Sequence, residues 1–352
     1  MSLADWGWDE AWGATFAALQ QPTWTPARVV RTARGVYTVV GAAGELHAET
    51  SGKFRHQAAS RADYPAVGDW VAVEQEAVIQ AVLPRRSRFS RKHPGELTEE
   101  QVVAANVDTL FIVCGLDGDY NPRRIERYLP PAWDSGARPV ILLNKRDVCA
   151  DAAARAAEIE RLAAGVAVHL IAAQHGDGVE AVLPYLRPGR TIALVGSSGA
   201  GKSTLINRLL GEERLATGSV RAGDSRGRHT TSHRELLRLP GGALIIDNPG
   251  MRELQLWSDE SGLAMAFDEI EALAGSCRFR DCRHDAEPGC AVQTALATGS
   301  LARERYESFQ KLQRELAFLE RQQSQRAQLQ EKAKWKQRNR DMRERLRAKG
   351  RE

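Results

Sequence analysis

Residues 196–203, GSSGAGKS, have the types and spacing of a loop that binds nucleotide phosphates. Its glycines let the backbone turn tightly, so that successive N–H groups can point at phosphate oxygens. The lysine would reach the β- and γ-phosphates, and the serine after it would place its hydroxyl on Mg²⁺. An apolar stretch leads into the loop and a helical pattern leads out of it, which is the frame such a loop needs. The residues predicted to line the nucleotide here are Gly196, Ser197, Ser198, Gly199, Ala200, Gly201, Lys202, Ser203 and Thr204.

The segment NKRD has side chains suited to reading a guanine base. The two carboxylate oxygens of Asp147 can accept hydrogen bonds from N1–H and the N2 amine of guanine, a donor pair that adenine does not offer. Asn144 and Lys145 would brace the base and the loop. A strand-like stretch ending in IAAQ would back the base with backbone amides, from Ala172 and Ala173. Together these features favour GTP and GDP over adenine nucleotides.

A third segment, ALIIDNPG, would face the Mg²⁺ ion and the γ-phosphate. It is a strand-like run that ends at Asp247, and the backbone amide of Gly250 would sense the γ-phosphate. Ras-like proteins place a glutamine after this glycine to orient the attacking water. Here the next residue is Met251, which has no group for that task. Intrinsic hydrolysis is therefore expected to be slow unless another side chain helps.

The nearest side chain able to position the water is His229, in the segment GRHTTS. A histidine on a loop can do so through a ring nitrogen. One of its neighbours, Thr230 or Thr231, would reach Mg²⁺ in the GTP-bound state. A polar residue in an exposed loop is the alternative interpretation of the histidine. The predicted Mg²⁺ ligands are Ser203, Thr231 and Asp247, and the residues predicted to act in hydrolysis are Lys202, His229 and Thr231.

The order of these segments along the chain is unusual. In an ordinary small GTPase the phosphate loop comes first, whereas here the base-reading segment precedes it. The order is the usual cyclic one cut at a different point. A doubly wound sheet permits such a cut, because its ligand loops all lie at the carboxyl ends of the strands. We therefore predict a circularly permuted α/β domain, in which the loop after Asp247 leads directly into the C-terminal region and could transmit the nucleotide state.

Four residues of the segment SCRFRDCRHDAEPGC have the spacing of a structural metal site, C-x4-C-x-H-x5-C. Three thiolates and one imidazole complete a tetrahedral Zn²⁺ shell with no open position. The expected ligands are Cys277, Cys282, His284 and Cys290. An odd total of five cysteines argues against a disulfide framework. The remaining two, Cys114 and Cys149, are expected to be bystanders.

Three kinds of region carry these segments. Closely spaced β-like runs without helical signals predict an N-terminal five-stranded barrel of the OB type. A strand–helix alternation then predicts a mostly parallel sheet, and helical patterns flank the Cys/His segment. The expected divisions are an N-terminal tether at 1–27, the barrel and a basic linker at 28–92, the permuted nucleotide domain at 93–257, a zinc-binding helical domain at 258–330 and a basic tail at 331–352.

Two stretches invite more specific expectations. PRRSRFSRKHPG holds five basic residues and no acid, which suits either a solvated linker or a contact with phosphates. NPRRIERYLPPAW is expected to start a helix that breaks at its prolines.

Charge points to a polyanionic partner. The net charge is only +4, but the tail 331–352 holds ten Lys or Arg residues against four acids, with a tryptophan among them. Such a segment can neutralise RNA phosphates, although a solvated tail is the alternative. Lys53, Arg55 and Arg61 of the expected barrel form a second candidate surface for nucleic acid.

No apolar run approaches the length of a membrane span, and the N-terminus lacks the basic start and apolar core of a signal peptide. We therefore expect a cytoplasmic protein with no membrane partner. We also expect it to be a monomer.

These motifs together resemble the circularly permuted GTPase family called ribosome small-subunit-dependent GTPase A. The resemblance extends over roughly residues 25–320 and implies an OB-type barrel, a permuted GTPase domain and a zinc-binding helical domain. It also implies a role late in maturation of the small ribosomal subunit, with GTP hydrolysis stimulated by that subunit. The water-positioning histidine of the family falls on His229. One departure is Asn248, where the family usually has Thr or Ser.

Two other classes of function stay open at this point. The chain could be an RNA-binding or chaperone-like protein for which GTP is only a structural ligand. It could also be a metabolic P-loop kinase or ATPase, although Asp147 argues against an adenine nucleotide. Turnover of GTP with and without small ribosomal subunits separates the first alternative from the GTPase interpretation.

Overall fold

The computed structural model describes residues 2–33, 35–74, 77–92, 100–215, 234–247, 260–285, 287–318 and 321. Several predicted features lie outside these residues. They are Thr230 and Thr231 with His229, Asn248, Gly250 and Met251, and the tail 331–352.

Strands and helices alternate over most of the described chain. The strands are β1 (Thr25–Ala33), β2 (Val36–Gly41), β3 (Gly44–Thr50), β4 (Trp70–Glu74), β5 (Val78–Val82), β6 (Arg88–Lys92), β7 (Glu100–Ala105), β8 (Thr109–Gly115), β9 (Arg138–Asn144), β10 (Ala167–Leu170), β11 (Thr191–Val195), β12 (Arg234–Arg238) and β13 (Leu244–Asp247). The helices are α1 (Glu10–Ala17), α2 (Gly52–Gln57), α3 (Pro122–Asp134), α4 (Ala152–Leu162), α5 (Lys202–Leu210), α6 (Glu260–Ala266), α7 (Asp268–Gly275) and α8 (Ala291–Thr298), followed by a helix over 303–318.

The first five strands close into a small barrel. β1 pairs with both β2 and β4, β2 pairs with β3, and β5 joins β3 to β4. Successive side chains of a strand point to opposite faces, so alternate residues can fill the interior. One buried cluster holds Val29, Val39, Val71, Val73 and Ile79. The predicted five-stranded barrel is confirmed.

A helix that was not predicted from the sequence, α2, lies between β3 and β4. Ser51 caps its first turn, because the Ser51 Oγ accepts a hydrogen bond from the Phe54 N–H at 3.0 Å. Phe54 packs edge-on against Tyr64, with ring centroids 5.8 Å apart. The aromatic pair holds the helix on the barrel, while Lys53 and Arg55 are exposed.

The second part of the sheet has the order expected of an α/β nucleotide-binding domain. Its strands run β10–β9–β8–β11–β13–β12, and neighbours are parallel except that β12 is antiparallel to β13. The carboxyl ends of the five parallel strands therefore face one edge, where the loops after them gather. Phe111, Leu142, Leu194 and Ile206 belong to one buried cluster that packs the sheet against α5.

The barrel and the α/β sheet are joined edge to edge within the described chain. β1 pairs with β12 in an antiparallel register that sets Arg31 opposite Glu235 and Thr32 opposite Arg234. The Arg31 guanidinium also lies 2.6 Å from the Glu235 carboxylate. The two parts therefore form one continuous hydrogen-bonded sheet.

The expected N-terminal tether packs against the barrel. The ring centroid of Trp70 lies 4.7 Å from that of Trp8 and 6.3 Å from that of Trp12. Arg86 stacks over Trp12 at 4.1 Å and forms an ion pair with Asp9 at 2.6 Å. The hydrogen bond from Arg86 lowers the pKa of Asp9 to about 2. Aromatic stacking and this ion pair hold the segment in place.

The basic stretch expected to be a linker or a phosphate contact contains a strand instead. β6 pairs with β7 in a separate two-stranded sheet. Just before it, the Arg85 guanidinium binds both carboxylate oxygens of the buried Asp69, at 2.7 and 2.8 Å. Arg85 therefore has a structural role, which could not be predicted from the basic composition of this stretch.

The helix break expected at Pro130 and Pro131 was wrong, since α3 continues through both prolines to Asp134. Neither proline has a backbone N–H to donate, which weakens the helix at this point. Both are buried, however, on the same helix as the buried Ile125 and Leu129. Packing of this apolar face outweighs the local helix-breaking tendency.

The chain divides into two compact units, the first ending at Ala272 and the second beginning at Leu273. The second unit contains the end of α7, α8 and the helix over 303–318. Its apolar residues Val292, Leu301 and Phe309 are buried. The divisions expected from sequence, 1–27, 28–92, 93–257, 258–330 and 331–352, remain predictions.

Candidate nucleotide-binding site and metal cluster

The phosphate loop connects β11 to α5 at the carboxyl edge of the sheet. Gly196 and Gly201 have φ angles of 144° and 95°. A Cβ on Gly196 would lie 2.1 Å from the Val113 carbonyl oxygen, and one on Gly201 would lie 2.1 Å from Nδ2 of Asn144. Both positions require glycine, because the backbone passes this close to β8 and to the base-reading segment.

The other predicted residues lie in the middle of the loop and in the first turn of α5. Ser198 is half-buried, Gly199 is exposed and Ala200 is buried. Ser203 and Thr204 lie in the first turn of α5, both half-buried. This placement directs the helix N-terminus at the loop, which favours a bound anion.

Lys202 turns back across the phosphate loop. Its ammonium donates hydrogen bonds to the carbonyl oxygens of Gly196 at 2.8 Å and Ser197 at 2.6 Å. Asp247 ends β13, the strand beside β11. Burial raises the pKa of Asp247, and the positive charge of Lys202 offsets part of that rise. The hydroxyl of Ser203 and the carboxylate of Asp247 are oxygen donors of the kind that Mg²⁺ prefers.

Asn144 joins three loops that are far apart in sequence. Its side chain is buried at the end of β9. The Nδ2 group donates a hydrogen bond to the carbonyl oxygen of Ala200 at 2.8 Å. Its Oδ1 accepts one from the N–H of Ala173 at 2.9 Å. The base-reading segment, the phosphate loop and the loop after β10 are thereby fixed together as one pocket.

Two side-chain contacts tie the base-reading segment to the loop after β10. Arg146 lies 2.9 Å from Asp177, and Nε2 of His175 lies 3.4 Å from Oδ2 of Asp147. The Asp147 side chain is still 32% exposed. Its carboxylate is therefore within reach of the edge of a base.

The backbone amides predicted to back the base are engaged within the protein. Ala172 N–H donates to the carbonyl oxygen of Asp177 at 2.8 Å, and Ala173 N–H donates to Asn144. Arg208 of α5 holds the same loop by donating to the Ala173 carbonyl at 3.3 Å. In this structure the two alanines shape the loop, and a direct contact with the base remains a prediction.

Sequence reasoning missed two carboxylates in the loop after β8. Oδ2 of Asp117 lies 2.5 Å from Nζ of Lys145. Asp119 accepts a hydrogen bond from the Ser197 hydroxyl of the phosphate loop. It also pairs with Arg124 at 2.5 Å. The available signal was the position of GLDGDYN directly after a buried parallel strand, at the edge where ligand loops gather.

The four predicted metal ligands come together in the second compact unit. Cys277, Cys282, His284 and Cys290 place their ligand atoms within 4.8 Å of one another. Nδ1 of His284 lies 3.6 Å from the Cys277 sulfur and 3.5 Å from that of Cys290, and the two sulfurs are 3.9 Å apart. A tetrahedral ion with metal–sulfur distances of about 2.3 Å and metal–nitrogen distances of about 2.0 Å gives separations of roughly 3.5–3.8 Å. The geometry of the donors therefore fits such an ion.

Comparison with known proteins decides the family. A family model described as RsgA GTPase matches residues 82–257. A curated protein of Opitutus terrae named small ribosomal subunit biogenesis GTPase RsgA is 50% identical over 335 residues, covering 91% of this chain and 91% of its own. The chain belongs to the RsgA GTPase family.

Solved structures agree with this RsgA GTPase assignment. YjeQ from Thermotoga maritima is 27% identical, with a TM-score of 0.62, and the match covers 84% of this chain and 99% of that one. YloQ, described as a circularly permuted GTPase, is 22% identical with a TM-score of 0.58, covering 84% of this chain and 95% of its own. The predicted fold class, an OB-type barrel, a permuted P-loop GTPase domain and a C-terminal region with a Cys/His cluster, is confirmed.

A second family model, described as ABC transporter, matches residues 180–348, just under half of this RsgA GTPase family member. That match contains the phosphate loop but leaves out β8, β9 and the base-reading segment. Among the described residues, no helix is both long and apolar enough to cross a membrane.

Proposed function

We propose that this RsgA GTPase family member hydrolyses GTP during late maturation of the small ribosomal subunit. In this proposal the protein binds the RNA of the subunit, the subunit stimulates hydrolysis, and hydrolysis is coupled to release. The observation that carries the nucleotide part is the pair of hydrogen bonds made by Asn144, which assembles one pocket from three separate loops. The small ribosomal subunit is proposed as the partner because it appears in the names of relatives such as the Opitutus terrae protein.

Guanine selectivity follows from Asp147. Its partly exposed carboxylate can accept from both N1–H and the N2 amine of guanine, and Lys145 and Asn144 would brace the base beside it. Ala172 and Ala173 would complete the base side of the pocket. GTP and GDP are the nucleotides that this arrangement fits.

Phosphate binding and hydrolysis are assigned to the loop 196–203 and the strand end at Asp247. Lys202 would bind the β- and γ-phosphates, and Ser203 and Asp247 would hold Mg²⁺, which neutralises developing charge on the phosphates when bound. We propose that His229 positions the attacking water and that Thr231 is a further Mg²⁺ ligand. The amide of Gly250 would sense the γ-phosphate.

The Cys/His cluster is assigned to one structural Zn²⁺. Three thiolates and an imidazole at tetrahedral separations leave no position for a substrate, so the ion would stabilise the second compact unit. We propose no catalytic role for it.

Two basic surfaces are proposed to contact ribosomal RNA. On the barrel, Lys53 and Arg55 of α2 and Arg61 are exposed beside the aromatic pair Phe54 and Tyr64. Positive charge next to aromatic rings is the usual composition of a surface that binds single-stranded nucleic acid on an OB-type barrel. The tail 331–352, with its excess of basic residues, is the second proposed contact.

The protein is proposed to act as a cytoplasmic monomer without a membrane partner. Its functional regions are proposed to follow the five divisions predicted from sequence. The segment after Asp247 precedes the zinc-binding region in the sequence, and we propose that it lets the nucleotide state alter how that region engages the subunit.

The test is turnover of GTP by the full-length protein, alone and with purified small ribosomal subunits. We expect slow intrinsic turnover and stimulation of at least about tenfold by small subunits, with ATP not hydrolysed. Large ribosomal subunits at the same concentration are the control for non-specific activation by RNA. Tight GTP binding with equal turnover in all three conditions would contradict the proposal and favour GTP as a structural ligand.

A further inference from the structure

We infer that the loop after β8, residues 116–121, positions both ends of the bound nucleotide, Asp117 acting through Lys145 and Asp119 acting through Ser197. The inference rests on the guanine-nucleotide site proposed above. Neither carboxylate is expected to touch the nucleotide, so both are positioning residues.

Asp117 fixes the lysine of the base-reading segment. Its carboxylate lies 2.5 Å from the Lys145 ammonium, and both side chains are about one third exposed, at 35% and 32%. Burial tends to raise the pKa of Asp117, but the hydrogen bond from Lys145 and its charge prevail and lower it. The carboxylate is therefore ionised at neutral pH and holds the ammonium by charge.

The backbone of Lys145 makes this contact more significant. Its φ of 65° lies in the left-handed region, which is unfavourable for a residue with a side chain. Such a conformation persists when its surroundings over-determine it. The ion pair with Asp117 is one of these restraints, and it sets where the Lys145 side chain lies relative to the base.

Asp119 fixes the first turn of the phosphate loop. It accepts a hydrogen bond from the hydroxyl of Ser197, which is itself almost buried. A lone carboxylate beside a phosphate site would repel the ligand. Arg124 of α3 lies 2.5 Å from the other oxygen of Asp119 and neutralises it. Asp119 can therefore hold Ser197 without a net negative charge at the pocket.

The loop itself is anchored at several points. Asn121 caps α3 by accepting from the Arg124 N–H at 3.1 Å. Tyr120 donates a hydrogen bond to Glu158 of α4 at 2.6 Å. The Asp119 backbone N–H donates to Asp117 Oδ1 at 3.2 Å, which ties the Asp117 carboxylate to the backbone of Asp119. A loop held in this way can transmit the position of one nucleotide loop to the other.

An ordinary solvated turn does not account for these contacts. Each acid takes its partner from a different nucleotide loop, 28 residues away for Asp117 and 78 residues away for Asp119. By comparison, the exposed Asp151 pairs only four residues along its own helix, with Arg155. The acids of the loop therefore connect the base reader and the phosphate loop through space.

The experiment measures dissociation constants of GMP, GDP and GTP by displacement of a fluorescent GDP from full-length variants. For Asp117→Asn we expect the affinity to fall about tenfold for all three nucleotides, because all three carry the same guanine base. For Asp119→Ala we expect a similar loss with GDP and GTP but a smaller one with GMP, which lacks the outer phosphates. In both variants the KM of subunit-stimulated hydrolysis rises by the same factor, while kcat stays within about twofold.

The matched control is Asp108→Asn, at the opposite end of β8. Asp108 pairs with Arg190 at 2.5 Å, the same length as the pair at Asp117, and it lies away from the nucleotide edge. We expect this variant to keep the nucleotide affinity of the wild type and to melt close to it, because the ion pair that it removes is solvent-exposed. Equal losses of affinity in the control and in the two loop variants would show a merely structural role and overturn the inference.

Ser197→Ala removes the hydroxyl that donates to Asp119, so it breaks the same hydrogen bond while leaving the loop after β8 unchanged. It therefore separates loss of this contact from a folding defect of that loop. In a double-mutant cycle, Ser197→Ala combined with Asp119→Ala should bind GDP no more weakly than either single variant. Additive losses, or wild-type affinity in Asp117→Asn and Asp119→Ala, would overturn the inference. A wild-type protein that binds no guanine nucleotide would instead refute the proposed function.

Discussion

At the scale of single residues, Asp147 is where base recognition depends on one group. Its carboxylate accepts two hydrogen bonds from guanine in the proposed pocket, and charge-assisted bonds of this kind are stronger than neutral ones. Xanthine carries a carbonyl oxygen where guanine has the N2 amine. The side-chain amide introduced by Asp147→Asn can donate to that oxygen, so we expect GTP affinity to fall about a hundredfold and xanthosine triphosphate to bind more tightly than GTP. Competition against fluorescent GDP measures both.

Asp177→Asn is the matched control for this exchange. Asp177 is an exposed acid on the neighbouring loop, where it pairs with Arg146 at 2.9 Å, and it has no proposed contact with the base. We expect its nucleotide preference to remain that of the wild type. If Asp147→Asn kept its preference for GTP, the proposed base reader would be wrong.

His229 gives the residue-scale prediction for hydrolysis. If its ring orients the attacking water, His229→Ala should bind GTP within about twofold of the wild type and lose at least about a hundredfold in subunit-stimulated kcat. His169→Ala is the control, because His169 contacts the Tyr185 hydroxyl at 3.0 Å and has no role at the pocket. Full stimulated turnover in His229→Ala would assign the water to another group.

Residues of the site differ in how visible they are in the sequence. Gly196, Gly201 and Lys202 could be predicted because their functions depend on local spacing within one loop. Asp117 and Asp119 could not, because an acid in a polar loop has the composition of a solvated turn. Their contacts with the other nucleotide loops arise only when parallel strands bring the loops to one edge.

At the scale of elements, the Cys/His cluster and α8 form one unit of structure. Cys290 is buried and precedes α8, and its sulfur accepts a hydrogen bond from the Gln293 N–H at 3.4 Å. The same sulfur would bind the ion, so metal binding and the start of the helix are coupled. Structural zinc sites contribute folding free energy directly.

Metal analysis tests this coupling. The purified wild type should contain about one Zn²⁺ per chain, and removal of the ion by a chelator should lower its helical content and its melting temperature. Cys290→Ser should lose most of the zinc. Cys149→Ser is the control, since Cys149 lies outside the cluster and should leave the zinc content unchanged. A full complement of zinc in Cys290→Ser would exclude Cys290 as a ligand.

The elements themselves were predictable to different degrees. Alternating or continuous apolar runs gave the barrel strands and the parallel strands, because burial of one or both faces leaves a period in the sequence. Two features could not be predicted from the sequence, for physical reasons. α2 is a short polar helix held by Phe54 and the Ser51 cap, and α3 passes through Pro130 and Pro131 because that face is buried.

At the scale of the whole molecule, Arg28 links three parts of the first compact unit. Its side chain is buried and donates to Trp6 of the N-terminal segment, to Gly68 of the barrel at 3.2 Å and to Thr191 at the start of β11 at 2.8 Å. Burial lowers the pKa of Arg28 to about 10, so the guanidinium remains charged at neutral pH. No local pattern could reveal this role, because its partners lie between 22 and 163 residues away.

Replacing this guanidinium with an apolar side chain of similar length should loosen the junction without affecting the nucleotide site. Arg28→Met leaves several buried acceptors unpaired, which we expect to cost about 2–4 kcal/mol. For a unit of this size, each kcal/mol lowers the melting temperature by roughly 2–4 °C. The partners of Arg28 lie at the amino ends of the strands, opposite the nucleotide loops, so the affinity for GDP should not change below the transition.

Arg190→Met, which removes an exposed arginine from the same end of the sheet, is the control and should melt near the wild type. Equal melting temperatures for the two variants would show that Arg28 does not hold the junction.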